Sequence, residues 1–172
     1  MVVGESGSGK DTLVDAVCEK YGYKKLISYT TRPMRNTEND KKAHHFISKS
    51  DLRKLNNIVA YTYFNGNEYC ATQEQVDESD FYIIDCDGVE YLKKMYNGDK
   101  QIVVVHIDVP KVDRFLRMKK RDGTVKAMER IRHDEKAFAN IKNICDFAIE
   151  NTDKDMTQAI EMLRNIIERE TE

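Results

Sequence analysis

A glycine-rich run near the start of the chain carries the residue types that hold phosphate. In GESGSGKDTL (4–13), four residues separate Gly4 from Gly9, and Lys10 follows directly. This spacing fits a phosphate-binding loop, in which a turn presents backbone N–H groups and a lysine to phosphate oxygens at a helix N-terminus. Such loops place Ser or Thr after the lysine as a Mg²⁺ ligand. Here Asp11 stands in that place and Thr12 follows, so we predict a nucleotide phosphate site with Thr12 or Asp11 as the Mg²⁺ ligand.

The elements that must position this loop follow from apolar runs that alternate with helical patterns. Runs rich in β-branched residues, such as QIVVVHIDV (101–109), are typical of parallel strands covered on both faces. Strands alternating with helices predict an α/β fold with a parallel sheet wrapped by helices. We expect strands at 2–3, 24–28, 81–85, 101–109 and 147–150, and helices at about 9–20, 89–96, 111–121, 125–141 and 155–170.

The segment 29–79 breaks this alternation. The runs IVAYTYF (58–64) and EYCAT (68–72) flank Asn65-Gly66-Asn67, and Asn-Gly between apolar runs is a strong hairpin signal. Together with HHFIS (44–48) they predict a small mixed sheet inserted into the parallel one. We therefore expect one domain over 1–172, with a core at about 1–28 and 80–172 and the insert at about 29–79.

Composition excludes several classes of function. The chain has 28 basic and 30 acidic residues among 172, a net charge of -2, which argues against a broad nucleic-acid surface. No apolar run approaches the roughly 20 residues that span a bilayer, so we expect no membrane partner. The cysteines are scattered without a C-x-x-C pair, as expected for reduced thiols in a cytoplasmic protein. They are Cys18, Cys70, Cys86 and Cys145.

Four further motifs carry a resemblance to a known family. SYTTRPMR (28–35), HHFIS (44–48), FNGNEYCAT (64–72) and IIDCDGVE (83–90) occur in that order. They resemble the guanylate kinase family, which carries S-x-T-T-R-x-x-R, Y-x-F-[IV]-S, G-N-x-Y-G-[ST] and I-D-x-D-x-x-G. The resemblance covers nearly the whole chain. It implies a P-loop nucleoside monophosphate (NMP) kinase fold, in which the insert is an NMP-binding subdomain and 117–130 is an arginine-bearing lid.

The same resemblance implies the substrates, the cofactor and the roles of individual residues. ATP is the expected phosphoryl donor with Mg²⁺, and small-molecule nucleotides are the expected partners. Arg32 and Arg35 match the pair that grips the acceptor phosphate, and planar guanidinium groups suit phosphate oxygens. The implied NMP-binding residues are Ser28, Arg32, Arg35, His44, Tyr69 and Asp87. Asp87 follows a predicted strand, Asp85 lies two residues earlier, and either carboxylate is a candidate to hold Mg²⁺ through water. The implied catalytic residues are Lys10, Arg32, Arg117, Arg121 and Arg130, and the ATP-binding residues are Gly4, Glu5, Ser6, Gly7, Ser8, Gly9, Lys10, Asp11, Thr12 and Asn151.

The chain departs from the family where the base is read. Ala60 stands where the family carries a glutamate that reads guanine, and Ala71 stands where it carries Ser or Thr. His44 replaces a tyrosine and Cys70 a glycine. A hydrogen bond to a charged group contributes about 1.5–3 kcal/mol. We therefore predict weak preference for guanine, unless Glu38, Asp40 or Glu68 compensates.

Two alternative functions follow from the same residues. Ribosyl-bisphosphate kinases of phosphonate metabolism resemble guanylate kinases and favour GKD in the loop, as at Gly9–Lys10–Asp11 here. Against them, the intact T-T-R-x-x-R is typical of an NMP site. A non-catalytic guanylate kinase-like binding module is the other alternative, although such modules usually lose the phosphate loop that this chain keeps.

Overall fold

The computed structural model of the chain describes residues 1–34, 44–152 and 156–171. They form two compact units, one made of Met1–Gly22 with Val103–Glu172 and the other of Tyr23–Ile102. The strands are β1 (Val2–Val3), β2 (Tyr29–Thr30), β3 (His45–Phe46), β4 (Ile58–Phe64), β5 (Asn67–Thr72), β6 (Val105–Asp108) and β7 (Phe147–Glu150). The helices are α1 (Lys10–Tyr21), α2 (Lys49–Leu52), α3 (Gln73–Asp77), α4 (Cys86–Met95), α5 (Lys111–Asp122), α6 (Thr124–Ala137), α7 (Ile141–Ile144) and α8 (Met156–Thr171).

The first unit is a parallel sheet with helices packed around it. Its strand order is β1-β6-β7, and both pairings are parallel. The strands are short and apolar, and Val3, Ile107 and Ile149 are fully buried. Helix α1 packs beside α8, and α5 beside α6. This confirms the predicted α/β class and its parallel sheet.

The second unit holds the mixed sheet, with strand order β3-β2-β5-β4. Strand β2 is parallel to β3, whereas β5 is antiparallel to both β2 and β4. The β4–β5 turn has Asn65 at φ 47 and Gly66 at φ 78, the left-handed conformation that Asn-Gly turns require. The predicted hairpin is therefore confirmed.

Four predicted elements differ from the structure. The segments 24–28 and 81–85 form one isolated bridge, Lys25 to Phe81, and not a ladder. The run 101–109 becomes a strand only at Val105, because the N–H of Val104 donates to a carboxylate oxygen of Asp146 at 2.7 Å and not to a neighbouring strand. The predicted helix at 125–141 is interrupted, since Phe138, at φ -104 and ψ 11, ends α6 before α7 begins.

Within the described part of the chain, no helix has both the length and the apolar character needed to cross a membrane. All four cysteines are free thiols.

Candidate active site

The predicted phosphate loop connects β1 to α1 in the first unit and has the backbone shape that an anion site needs. Gly7 and Gly9 have φ values of 81 and 76, a region that strains any residue with a Cβ. A Cβ on Gly7 would also lie 2.8 Å from the carbonyl oxygen of Arg114. The first helical hydrogen bond of α1 runs from the Leu13 N–H to the Gly9 carbonyl at 2.9 Å. The amides before Leu13 therefore stand at the helix N-terminus, where backbone N–H groups and the helix dipole favour phosphate.

The loop carbonyls are held by side chains from other elements of the same unit. Arg117 on α5 donates to the Gly7 carbonyl at 3.1 Å and to the Asn151 carbonyl at 3.3 Å. Asn151, which is only 4% exposed, donates through Nδ2 to the Ser8 carbonyl at 2.8 Å. Thus Asn151, which the family resemblance implies as an ATP-binding residue, contacts the loop itself, and Arg117 brings a positive charge to it.

Lys10 begins α1, and its partly buried side chain is 21% exposed. The Lys10 ammonium lies 4.0 Å from the carboxylate of Asp11, whose side chain is 71% exposed. Thr12 is exposed beside it. Hydroxyl and carboxylate oxygens are the ligands that Mg²⁺ prefers, and in nucleotide sites the ion takes only one or two of them from protein. The donor set at Asp11 and Thr12 therefore fits Mg²⁺.

A buried network of charged groups on the loop was missed by sequence reasoning. Glu5 accepts a hydrogen bond from His106 Nε2 at 2.9 Å and lies 3.5 Å from Arg114 Nη2. The carboxylate of Asp134 accepts the Ser6 N–H at 2.7 Å. Burial opposes ionisation of Glu5, but the His106 hydrogen bond and the Arg114 charge hold its pKa below the ordinary value.

One signal in the sequence could have found this network. Ala127, Ile131 and Asp134 are the buried residues of α6, and their spacing of four and three residues puts them on one helix face. A carboxylate in such an apolar stripe must have a buried partner.

The remaining lid arginines converge on one carboxylate at the end of α5. Arg121 donates to Asp122 through Nε at 3.0 Å and Nη2 at 2.8 Å, and Arg130 Nε lies 3.9 Å from the same carboxylate. The Arg121 hydrogen bonds lead the effects that lower the pKa of Asp122. In this structure Arg121 and Arg130 therefore contact Asp122, whereas Arg117 contacts the loop.

In the second unit, the structure brings most of the predicted NMP-binding residues together on the mixed sheet. The hydroxyl of Ser28 lies 3.0 Å from His44 Nδ1, and the rings of His44 and Tyr69 are 5.6 Å apart. The guanidinium of Arg32 lies 5.3 Å from the ring centre of Phe46, which is also in contact with His44. Arg35 lies outside the described residues.

Of the two candidate aspartates, the structure connects Asp85 to the mixed sheet. Its carboxylate caps α4 by accepting the Gly88 N–H at 2.7 Å, and it accepts the Thr62 hydroxyl of β4 at 2.9 Å. Asp87 is exposed in the first turn of α4.

The positions where the family reads guanine lie together and are apolar. Ala60 and Ala71 are ladder partners on β4 and β5, and both are fully buried. Glu68 does not replace them, because its buried carboxylate accepts hydrogen bonds from Arg53 at 2.8 Å and Tyr61 at 3.0 Å. It also faces away from Tyr69, since neighbouring strand residues point to opposite faces. The other two candidates, Glu38 and Asp40, lie outside the described residues.

Comparison with known proteins decides between families that share this loop. The family model described as guanylate kinase matches residues 1–170. The chain belongs to the guanylate kinase family. It is 25% identical over 167 residues to the guanylate kinase of Vibrio parahaemolyticus, covering 90% of this chain and 80% of that protein.

Solved structures agree on the fold. The guanylate kinase of Anaplasma phagocytophilum matches with a TM-score of 0.62 at 20% identity, over 99% of this chain and 85% of the other. Shikimate kinase from Acinetobacter baumannii, solved with shikimate, matches with a TM-score of 0.52 at 16% identity, over 99% and 93%. Membership of the guanylate kinase family makes this chain an ATP-dependent nucleoside monophosphate kinase.

Proposed function

We propose that this enzyme transfers the γ-phosphoryl group of Mg-ATP to the phosphate of GMP, dGMP or a related (deoxy)nucleoside monophosphate, with a reduced preference for guanine. The observation that carries the proposal is the loop at the start of α1, where Gly7 and Gly9 adopt positive φ and Lys10 follows. Guanylate kinase relatives supply the reaction class.

The donor half of the site is assigned to residues 4–12. The N–H groups at the N-terminus of α1 hold the ATP phosphates, and Lys10 neutralises charge that develops during transfer. Asp11 or Thr12 would hold Mg²⁺, which neutralises phosphate charge when it is bound. Arg117 already contacts the Gly7 carbonyl. Asn151 supports the loop through the Ser8 carbonyl.

The acceptor half is assigned to the cluster on the mixed sheet. Arg32, with Arg35, binds the acceptor phosphate through its guanidinium group, and Tyr69 donates its hydroxyl to the same phosphate. Ser28 and His44 hold each other at 3.0 Å and line the monophosphate site, and we assign Asp87 to the same site. An oxygen of the acceptor phosphate is the nucleophile, so no covalent enzyme intermediate is needed.

The arginines of the proposed lid must change partners when the nucleotides bind. Arg121 and Arg130 contact Asp122, and in our proposal they exchange that carboxylate for phosphoryl oxygens. Positioning and charge neutralisation supply most of the catalysis in phosphoryl transfer, so this exchange adds positive charge where the transition state needs it.

One observation favours a second candidate function. Asp11 follows the loop lysine, as in ribosyl-bisphosphate kinases, and its carboxylate is largely exposed beside Lys10. A coupled assay of ADP release against all NMPs, dNMPs and ribose bisphosphate separates the two functions. We expect turnover with at least one monophosphate and none with ribose bisphosphate, and the reverse result would replace the first proposal with the second.

Composition also supports a proposal for the cellular setting. Free thiols at all four cysteines and a net charge of -2 support a cytoplasmic enzyme whose partners are small nucleotides and not nucleic acid.

The identity of the Mg²⁺ ligand can be tested by substituting Thr12 and Asp11 separately. Thr12→Ala should raise the Mg²⁺ concentration for half-maximal activity about tenfold or more, since the loss even of groups that support metal ligands costs about 10–100-fold. Asp11→Ser should leave the requirement nearly unchanged or lower it, because a carboxylate beside phosphates adds repulsion. Asp15→Ser, which removes the same charge one turn further along α1, is the control. A large loss from Asp11→Ser alone would show that the carboxylate is functional and would favour ribose bisphosphate as acceptor.

A further inference from the structure

A buried carboxylate outside the assigned site contacts the phosphate loop directly. Asp134 on α6 is 5% exposed, its Oδ2 accepts the Ser6 N–H at 2.7 Å, and its Oδ1 lies 3.4 Å from the Ser6 hydroxyl. We propose that Asp134 is a positioning residue of the donor site, which holds the loop in its phosphate-binding conformation through Ser6 without touching the nucleotide. This inference rests on the proposed function of the loop as the ATP phosphate site.

Packing alone does not explain a carboxylate at this position. The neighbouring buried residues of α6 are Ala127 and Ile131, and an apolar residue would continue their stripe. Burying a carboxylate costs several kcal/mol unless it is paired and hydrogen-bonded. That cost is offset here by Ser6 and by Arg114, whose Nη1 lies 3.8 Å from Asp134 Oδ2.

Arg114 is itself fixed in place, so the network has a defined geometry. Its Nε donates to the Val109 carbonyl at 3.0 Å, and its Nη2 lies 3.5 Å from Glu5, which also accepts from His106. The network therefore reaches the loop at two consecutive residues, through the Glu5 side chain and the Ser6 backbone.

The loop needs such support because of its own sequence. Gly7 and Gly9 give the loop the required positive φ values. Glycine also has the largest backbone conformational freedom of any residue, so ordering these two residues costs the most conformational entropy. Arg117 and Asn151 hold the carbonyls of Gly7 and Ser8, and Asp134 holds a donor, the Ser6 N–H. A loop already held in its bound conformation does not lose that freedom on binding, which strengthens binding without any new contact to the ligand. The effect of Asp134 should therefore appear in ATP affinity and not in acceptor binding.

Substitution of Asp134 tests the proposal with Mg-ATP as the probe. Asp134→Ala should raise the calorimetric Kd for Mg-ATP about 10–100-fold, the loss expected for a hydrogen bond to a charged group, while the KM for the NMP stays within about twofold. Asp134→Asn should restore most of the affinity. The side-chain oxygen of the asparagine accepts the Ser6 N–H. Its amide nitrogen takes the position of Oδ1, 3.4 Å from the Ser6 hydroxyl oxygen, and donates to that oxygen.

Glu135→Ala is the matched control, since it removes the next carboxylate of α6, which is exposed and paired with Lys111. It should leave the Kd unchanged. The proposal would be overturned if folded Asp134→Ala bound Mg-ATP as tightly as the parent and differed only in a lower melting temperature. Asp134 would then be a structural residue only.

Amide hydrogen exchange at Ser6 tests the contact even if Asp134→Ala does not fold. In the nucleotide-free parent and in Asp134→Asn this amide should exchange slowly, because it donates to a buried acceptor. Fast exchange in the parent would overturn the proposal. Failure of the proposed function would look different, since Mg-ATP would then bind with Asp134-dependent affinity while no monophosphate was phosphorylated.

Discussion

Replacing Lys10 by methionine should lower the rate of phosphoryl transfer at least about a hundredfold, because the transition state loses a preorganised charge that neutralises phosphoryl oxygens. Methionine keeps an unbranched apolar stem of nearly the same length and removes the ammonium. Lys10 begins α1 directly after Gly9, so the change leaves the backbone of the loop intact. The measurement is kcat and kcat/KM for ATP with the best monophosphate acceptor.

Lys20→Met is the matched control for this prediction. Lys20 lies on the same helix, but its ammonium is exposed and pairs with Glu161 at 2.7 Å. It should leave kcat unchanged. Activity of Lys10→Met within a few fold of the parent would reject residues 4–12 as the donor site.

In competitive turnover of mixed monophosphates, the parent enzyme should show no strong preference for GMP. A site that forms hydrogen bonds with a base rejects competitors by large factors, whereas shape and stacking discriminate only weakly. Ala60 and Ala71 put two methyl groups, both buried, where the family's polar groups would lie. The nearby carboxylate of Glu68 is already bonded to Arg53 and Tyr61. The measurement is the ratio of kcat/KM values for each pair of acceptors.

Restoring the family's polar groups should move that ratio toward GMP. Ala71→Ser adds one hydroxyl at little cost in volume, and Ala60→Glu adds the carboxylate, for an expected gain on the order of tens to a thousandfold if both bonds form. Ala148→Glu, on an exposed position of β7, adds the same charge as a control. Because Ala60 is buried, the melting temperature of each variant must be compared as well. A thousandfold preference of the parent for GMP would contradict the prediction and would mean that other residues read the base.

Features that depend on local sequence could be predicted, among them the phosphate loop of the candidate site and the hairpin of the mixed sheet. The phosphate loop follows from the positions of Gly4, Gly9 and Lys10, and the hairpin from Asn65 and Gly66, because each depends on backbone conformations that few residues adopt. The placement of Ser28, His44 and Tyr69 near one another followed from motif resemblance, which carries information that composition lacks.

Features that depend on tertiary partners could not be predicted. The start of β6 is decided by Asp146, a residue 42 positions away from Val104, whose N–H it accepts. The lid arginines illustrate the same limit, since their motif gives their identity but not their present contact with Asp122. The network around Asp134 joins residues 128 positions apart. The sequence shows only that Asp134 is a charged residue in an apolar helix stripe, and it does not show which residues are its partners.

Transfer of a phosphoryl group from ATP to a nucleoside monophosphate can be followed by ³¹P NMR of the reaction products. The enzyme is incubated with Mg-ATP and an equimolar mixture of monophosphates, with the Lys10→Met variant as the background. We expect the monophosphate resonances to decline as nucleoside diphosphate resonances appear, with two diphosphates formed for each ATP consumed and no inorganic phosphate. ADP and inorganic phosphate in equal amounts, with the monophosphates unchanged, would show hydrolysis of ATP and reject this activity.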